Sequence, residues 1–242
     1  MTMKVDIWSD IVCPWCAIGR ARFEAALAGF AHRDDLQVRW RSFELNPGAP
    51  REYEEPLVEH LAAKYGVSVE QAQSMHRNMT ETAAGDGLDF HFERARSGNT
   101  FDAHRLLHLA LETGGPELQD RLKERLFQAY LSEGEPIGDP DALVRAAEQV
   151  GIDPDEARGV LDGDRYGDEV RADEAQAQRY GITGVPFFVI DEKYGVSGAQ
   201  PAEALRRALD TAWSEANPLT VLTPSGARSG DAGACADGSC AI

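Results

Sequence analysis

The feature that most constrains this chain is a pair of cysteines two residues apart, Cys13-Pro14-Trp15-Cys16, lying between a strand-like and a helix-like segment. From Lys4 to Ser9 the residues are rich in strand formers and alternate, with Val5 and Ile7 expected inward and Asp6 and Trp8 outward. Asp10-Ile11-Val12 reads as a turn. Pro14 suits the first turn of a helix, where its missing N–H costs nothing. That helix is expected to continue from Ala17 to Phe30, with Ile18, Ala21, Ala25 and Ala28 near helical spacing. A second strand is expected over Val38 to Leu45, ended by Asn46-Pro47-Gly48.

This placement gives the cysteines their chemistry. If Cys16 is helical, the two sulfurs lie one turn apart and can close a small disulfide ring. Cys13, at the helix N-terminus, meets unpaired N–H groups and the helix dipole, which stabilise a thiolate. An ordinary thiol, with a pKa of about 8.5, is only a few per cent ionised at neutral pH. Cys13 is therefore the expected nucleophile, and Cys16 the resolving thiol that releases a mixed disulfide. Spacing alone leaves three other uses open: two small buried residues, half of a zinc site, or a static disulfide. Zinc needs four ligands. The remaining cysteines, Cys235 and Cys240, stand at the far end of the chain, so no metal and no cofactor are expected.

Between about Glu54 and Tyr180 the pattern is almost wholly helical. Helices are expected over Pro56–Tyr65, from Ser68 (a capping residue) to Ala84, over Thr100–Glu112, and over Glu117–Leu131 after Gly114-Gly115-Pro116. Asp139-Pro140 and Asp153-Pro154 each read as a cap followed by Pro at the first helical position, and a last helix covers Glu169–Tyr180. Leu88–Phe92 is a short extended candidate. Strand character returns at Phe187–Ile190, just after Pro186, a position that tolerates proline. Val196-Ser197 forms a returning hairpin edge, and Pro201 to Ala216 reads as a final helix. The order is strand–helix–strand, a long helical block, then strand–strand–helix. After Pro218 the Ser, Gly, Ala and Asp content predicts a flexible tail carrying Cys235 and Cys240.

Composition narrows the partners. The 242 residues carry 41 acidic against 24 basic side chains, a net charge of -17. Such a surface repels nucleic-acid phosphates and anionic lipid. No apolar run approaches the roughly 18 residues of a membrane-spanning helix. The first residues read as a strand rather than a signal sequence, so a cytoplasmic location is expected, with the chain a monomer or dimer.

Several segments together resemble the DsbA family of the thioredoxin superfamily: the strand–CPWC–helix opening, the helical insertion, and Gly184-Val185-Pro186-Phe187-Phe188 ahead of the closing ββα unit. Ser9-Asp10-Ile11-Val12 before the CPWC, Phe43-Glu44-Leu45-Asn46-Pro47 and Asn99-Thr100-Phe101-Asp102-Ala103-His104-Arg105 are similar to the FrnE-like subgroup. The resemblance implies an α/β thioredoxin-like fold with a large all-helical insertion: residues 1–50 and 182–217 as the thioredoxin-like domain, 51–181 as the insertion, and 218–242 as a tail. It implies disulfide exchange on protein or small thiol substrates through Cys13 and Cys16, with Pro186 a cis-proline facing them. Pro14, Trp15 and Val185 would contact substrate, Val185 by pairing its backbone with an incoming peptide. Some FrnE-like proteins carry a further C-terminal cysteine pair, which Cys235 and Cys240 resemble. Glutathione or a thioredoxin-type reductant would recycle the dithiol. The Pro14-Trp15 dipeptide lacks the histidine of periplasmic DsbA, so reduction or isomerisation is expected rather than strong oxidation.

Two rival functions stay open on the sequence. One is a glutathione-dependent isomerase or transferase like 2-hydroxychromene-2-carboxylate isomerase. The other is a chaperone-like binding protein. Weaker candidates are His104 and His108, at i, i+4 spacing but without the Glu of a zinc His-Glu-x-x-His motif, and Glu44. They read more simply as partly buried stripe histidines and a solvated carboxylate.

Overall fold

The computed structural model describes residues 2–218. Cys235 and Cys240 and the expected tail lie outside them. Strand β1 (Met3–Ser9) leads through the CPWC turn into α1 (Pro14–Ala28), and a one-turn helix at Arg33–Asp35 precedes β2 (Leu36–Ser42). Six α-helices follow: α2 (Leu57–Tyr65), α3 (Val69–Gly85), α4 (Phe101–Gln128, continued by a π-helical turn at Ala129–Glu133), α5 (Pro140–Gln149), α6 (Pro154–Asp162) and α7 (Gly167–Arg179). The chain returns with β3 (Phe187–Ile190), β4 (Tyr194–Ser197) and α8 (Ala202–Ala216). The strands form one sheet in the order β2-β1-β3-β4, with β1 parallel to β2 and antiparallel to β3. This is a mixed α/β thioredoxin-like core with a large helical insertion.

The local signals explain most element ends. Ser68 and Gln71 form the reciprocal capping box that starts α3. Asp139 and Asp153 accept the N–H groups of Asp141 and Asp155 to cap α5 and α6. The two helices expected on either side of Gly114-Gly115-Pro116 are both present as the two halves of α4, broken at Gly115, whose φ of 69° and ψ of −169° are non-helical.

Four expectations are corrected. Trp8 is buried, because the sheet is covered on both faces; its ring joins Ala177, Ile182 and Val189, and its indole N–H donates to the Asp173 carbonyl at 2.9 Å. In α1 the buried stripe is Cys16, Ala17, Ile18, Phe23 and Ala26, while Ala25 and Ala28 are exposed. Strand β2 stops at Ser42 because the chain turns out of the sheet there, where the Leu45 N–H goes to the Asp10 carboxylate instead. Leu88–Phe92 pairs with no strand of the sheet; Phe90 and Phe92 alternate because they pack into the helical core.

Two of the core clusters are large, and the cysteines lie in the larger. Val5, Ile7, Phe23, Phe188, Leu205 and Leu209 fill the face of the sheet covered by α1 and α8. The larger cluster belongs to the insertion, with Leu106, Leu109, Leu122 and Leu126, and it includes Cys13, Cys16 and Ile18. Helix α4 also covers the outer edge of β2. The Gln119 side chain accepts the Trp40 N–H and donates to the Trp40 carbonyl, both at 2.9 Å, as a neighbouring strand would. Arg20 of α1 forks onto Asp120 of α4 at 3.0 and 2.7 Å.

Candidate active site

Cys13 is the N-cap residue of α1, in extended conformation, and Pro14 occupies the first helical turn. The Cys13 sulfur lies 3.8 Å from the Val185 carbonyl. Cys16 is fully buried one turn deeper. Both are free thiols. The Cys16 thiol hydrogen-bonds the Cys13 sulfur, and this, helped by the N–H groups of Cys16 and Trp15, lowers the Cys13 pKa despite burial and the nearby Asp10 charge. Burial pushes the Cys16 thiol well above its ordinary value, and its bond and proximity to Cys13 push the same way. The two sulfurs are thus driven apart in acidity, with the outer one ionising first.

The Val185–Pro186 bond is cis. The Pro186 ring lies over Gly19 of α1, where a Cβ would come within 2.8 Å of its Cγ. The absence of a side chain at residue 19 lets the loop before β3 approach the CPWC helix.

Sequence reasoning missed the charges beneath the dithiol. Asp10 is buried at the end of β1. Its carboxylate accepts the Ile11 N–H at 2.7 Å and the Leu45 N–H at 2.8 Å, and lies 3.4 Å from the His104 ring. Burial works to raise its pKa, but His104, the Leu45 N–H and Lys123 hold it below the usual carboxylate range. Lys123 of α4 is fully buried, and its ammonium donates to the Ser9 carbonyl at 3.3 Å. A signal for it existed: Gln119, Lys123 and Phe127 repeat every four residues beside the buried Leu118, Leu122 and Leu126.

The weaker candidates are also relocated. His104 and His108 are fully interior rather than partly buried, and they serve different partners. His104 faces Asp10, while His108 lies 3.2 Å from Asp173 and 3.1 Å from the Ser42 hydroxyl. Glu44 is buried rather than solvated, paired with Arg171 and within 3.4 Å of the Asn99 amide. The carboxylate that acts on Cys13 is Asp10.

In front of Cys13 lies a groove of about 700 Å³, lined by Pro14, Trp15, Val185, Leu57, Leu61 and Met79 among others. Six large hydrophobic residues are exposed among the described residues, and four of them (Trp15, Leu45, Tyr65 and Met75) line this groove. A second cavity of about 940 Å³ shares Tyr53, Leu57, His60, His76, Phe92 and Ser97 with it, extending the cleft between α2, α3 and the 89–97 loop. No helix among the described residues is long and apolar enough to cross a membrane, and no cluster there could hold a metal ion.

Comparison with known proteins places this geometry in a family. A probable DsbA oxidoreductase from Streptomyces coelicolor is 47% identical, with a TM-score of 0.84 over 92% of this chain and 94% of its own. The cytosolic disulfide reductase DsbM from Pseudomonas aeruginosa, solved with GSH, shares the fold at 17% identity, with a TM-score of 0.62 over 87% of this chain and 98% of its own. YwbO of Bacillus subtilis, an uncharacterized protein, is 28% identical over 86% of this chain and 96% of its own length. The model of the DSBA-like thioredoxin domain matches residues 4–210. With the cysteines at the head of α1 and the helical insertion built over them, the chain belongs to the DSBA-like thioredoxin domain family.

Proposed function

We propose that this thiol–disulfide oxidoreductase acts on disulfides of polypeptide chains, with Cys13 as attacking thiolate and Cys16 as resolving thiol. The carrying observation is the Cys13 sulfur, capping α1 beside the Cys16 thiol and opening onto an apolar groove. Cys13 attacks a substrate disulfide and expels one substrate thiolate. Cys16 then attacks the Cys13 sulfur of the mixed disulfide and expels the second, leaving the Cys13–Cys16 disulfide. The two electrons of the new protein disulfide have passed to the substrate, and the reverse sequence oxidises it. Val185, whose carbonyl faces Cys13, and Pro186 hold the substrate strand beside the sulfur, and Pro14 and Trp15 form the near wall. The Ser9–Val12, Phe43–Pro47 and Asn99–Arg105 segments support placement in the FrnE-like subgroup.

The groove favours peptide over glutathione as principal substrate. Its exposed lining is largely aromatic and aliphatic, with Lys64, His60 and His76 the basic side chains among its walls. A small, strongly charged tripeptide would leave that surface uncovered, whereas an extended polypeptide would bury it. Reduction of insulin by dithiothreitol tests this. The wild-type protein should accelerate it, Cys13→Ser should abolish the acceleration, and Cys16→Ser should accumulate mixed disulfides. Met75→Glu should slow insulin reduction severalfold while leaving turnover of a small aryl disulfide intact. Acceleration that survives Cys13→Ser, or glutathione-dependent isomerase activity without insulin reduction, would overturn the reading.

A further inference from the structure

Lys123 is the feature that the reaction as described does not use. Its side chain is fully buried, reaching from α4 of the insertion to the floor of the CPWC turn. Among the described residues it has there one hydrogen bond, 3.3 Å to the Ser9 carbonyl, and two aromatic neighbours, with the ammonium 5.1 Å from the Phe127 ring centroid and 5.7 Å from that of Trp40. A cation so placed is expensive, and an apolar residue of similar length would sit there at lower cost. Packing therefore does not account for it, and its neighbours suggest what does. Four ionisable groups face it: Cys16 and Cys13 from α1, Asp10 from the turn after β1, and His104 from its own helix. Cys16 acts on it most strongly, then Asp10, then Cys13.

We propose that Lys123 is the proton partner of Cys16, taking the Cys16 proton in the resolving step and remaining beside the new thiolate as its counter-charge. The inference rests on the dithiol reading above. In the mixed disulfide the Cys13 sulfur is uncharged, so Lys123 loses one of the two anions that favour its protonated form. The neutral amine then accepts the proton of the Cys16 thiol, giving an ammonium–thiolate pair. The thiolate attacks the Cys13 sulfur, the Cys13–substrate S–S bond breaks, and the substrate leaves as a thiolate that takes a proton from solvent. Burial lowers the Lys123 pKa from its ordinary value to about 8, which brings the neutral amine within reach near neutral pH. Asp10 and His104 remain in place throughout, Asp10 as the standing anion that keeps Lys123 from losing its proton permanently.

The test uses the full chain with Cys235→Ser and Cys240→Ser, so that only one dithiol reacts. The reduced protein is mixed in a stopped-flow instrument with an aryl disulfide whose released thiolate is coloured. The first release reports Cys13 attack and the second reports resolution by Cys16. Lys123→Met should leave the first phase within about twofold of wild type and slow the second at neutral pH by about tenfold or more, the effect of at least one unit in the Cys16 pKa. Lys123→Arg keeps the cation without the ability to deprotonate. It should recover only the counter-charge part of the second phase, staying slower than wild type, and should shift its pH profile, which a merely structural defect would not do. In the wild type the second phase should level off below the resting Lys123 pKa of about 8, since the Cys13 anion that raises it is gone in the mixed disulfide. A wild-type second phase that keeps climbing through the ordinary thiol range overturns the inference even if Lys123→Met does not fold. So does a Lys123→Met protein with both phases unchanged. A wild-type protein with no second release at all would instead refute the dithiol reading, and this inference with it.

Discussion

Asp10 works against its neighbour. Its charge raises the Cys13 pKa while its carboxylate holds the Ile11 and Leu45 N–H groups that shape the turn. Asp10→Asn should therefore move the Cys13 titration downward, read from the ultraviolet absorbance of the thiolate against pH. Asparagine has one acceptor oxygen in place of two, so one backbone N–H loses its partner. The same variant should be less stable by about 1–3 kcal/mol in urea unfolding. Gly19→Ala tests the other wall. The new Cβ would meet Pro186 Cγ at 2.8 Å, so a loss of about 1–3 kcal/mol is expected from overpacking, measured the same way. At this scale the sequence announced the cysteines and was silent about what lies under them. Cys13 and Cys16 are legible because a spacing of three in a helix-opening motif has few uses. Lys123 and Asp10 were hidden because charged residues are almost always at the surface, and only the position of Lys123 on an otherwise apolar stripe distinguishes it.

Elements were legible where one local rule decided them. The Asp-Pro caps, the Ser68 capping box and the apolar β3 stretch each needed only a few neighbouring residues. Burial of Trp8 and the non-strand Leu88–Phe92 were misjudged because both depend on which helix covers which face, a fact of tertiary packing. The join between α4 and β2 is another such fact. Gln119 supplies both partners of the Trp40 peptide, and all of these groups are buried. Gln119→Ala leaves a donor and an acceptor unpaired, so a loss of about 2–4 kcal/mol is expected by chemical denaturation. Amide exchange at Trp40 should quicken in the same variant. Gln119→Glu should restore the acceptor to the Trp40 N–H but not the donor, and recover less than wild-type stability.

The molecule as a whole buries a small set of ionisable groups, His104, Asp10 and Asp173 among them, and these shape its response to acid. Burial lowers the pKa of His104, against the opposing pull of Asp10, so the folded chain holds this ring neutral. The unfolded chain protonates it below about pH 6.5. Between the folded and unfolded values the unfolded state binds more protons, so stability falls as pH drops through that window. Asp10 and Asp173 have the opposite chemistry but the same outcome. For Asp173, burial is outweighed by His108, the Ser42 N–H and Arg41, so both carboxylates stay below their usual range. Their contribution is complete above about pH 3.9 and is lost as pH falls below it. Melting temperature should therefore decline in two stages on acidification. His104→Asn should flatten the first stage and, by removing a partner of Asp10, shrink the second to the share that Asp173 contributes.

Because Lys123, Gln119 and Asp120 all come from α4, the helical segment supplies the underside of the CPWC turn and a border of the sheet. It cannot be treated as a detachable cassette. A shortened chain that spliced β2 directly to β3 would keep every residue of the CPWC motif, yet bare the backbone of one strand and deprive the dithiol of its nearest ammonium. Engineering efforts that transplant the motif onto a minimal scaffold should expect to move a sequence and leave its chemistry behind.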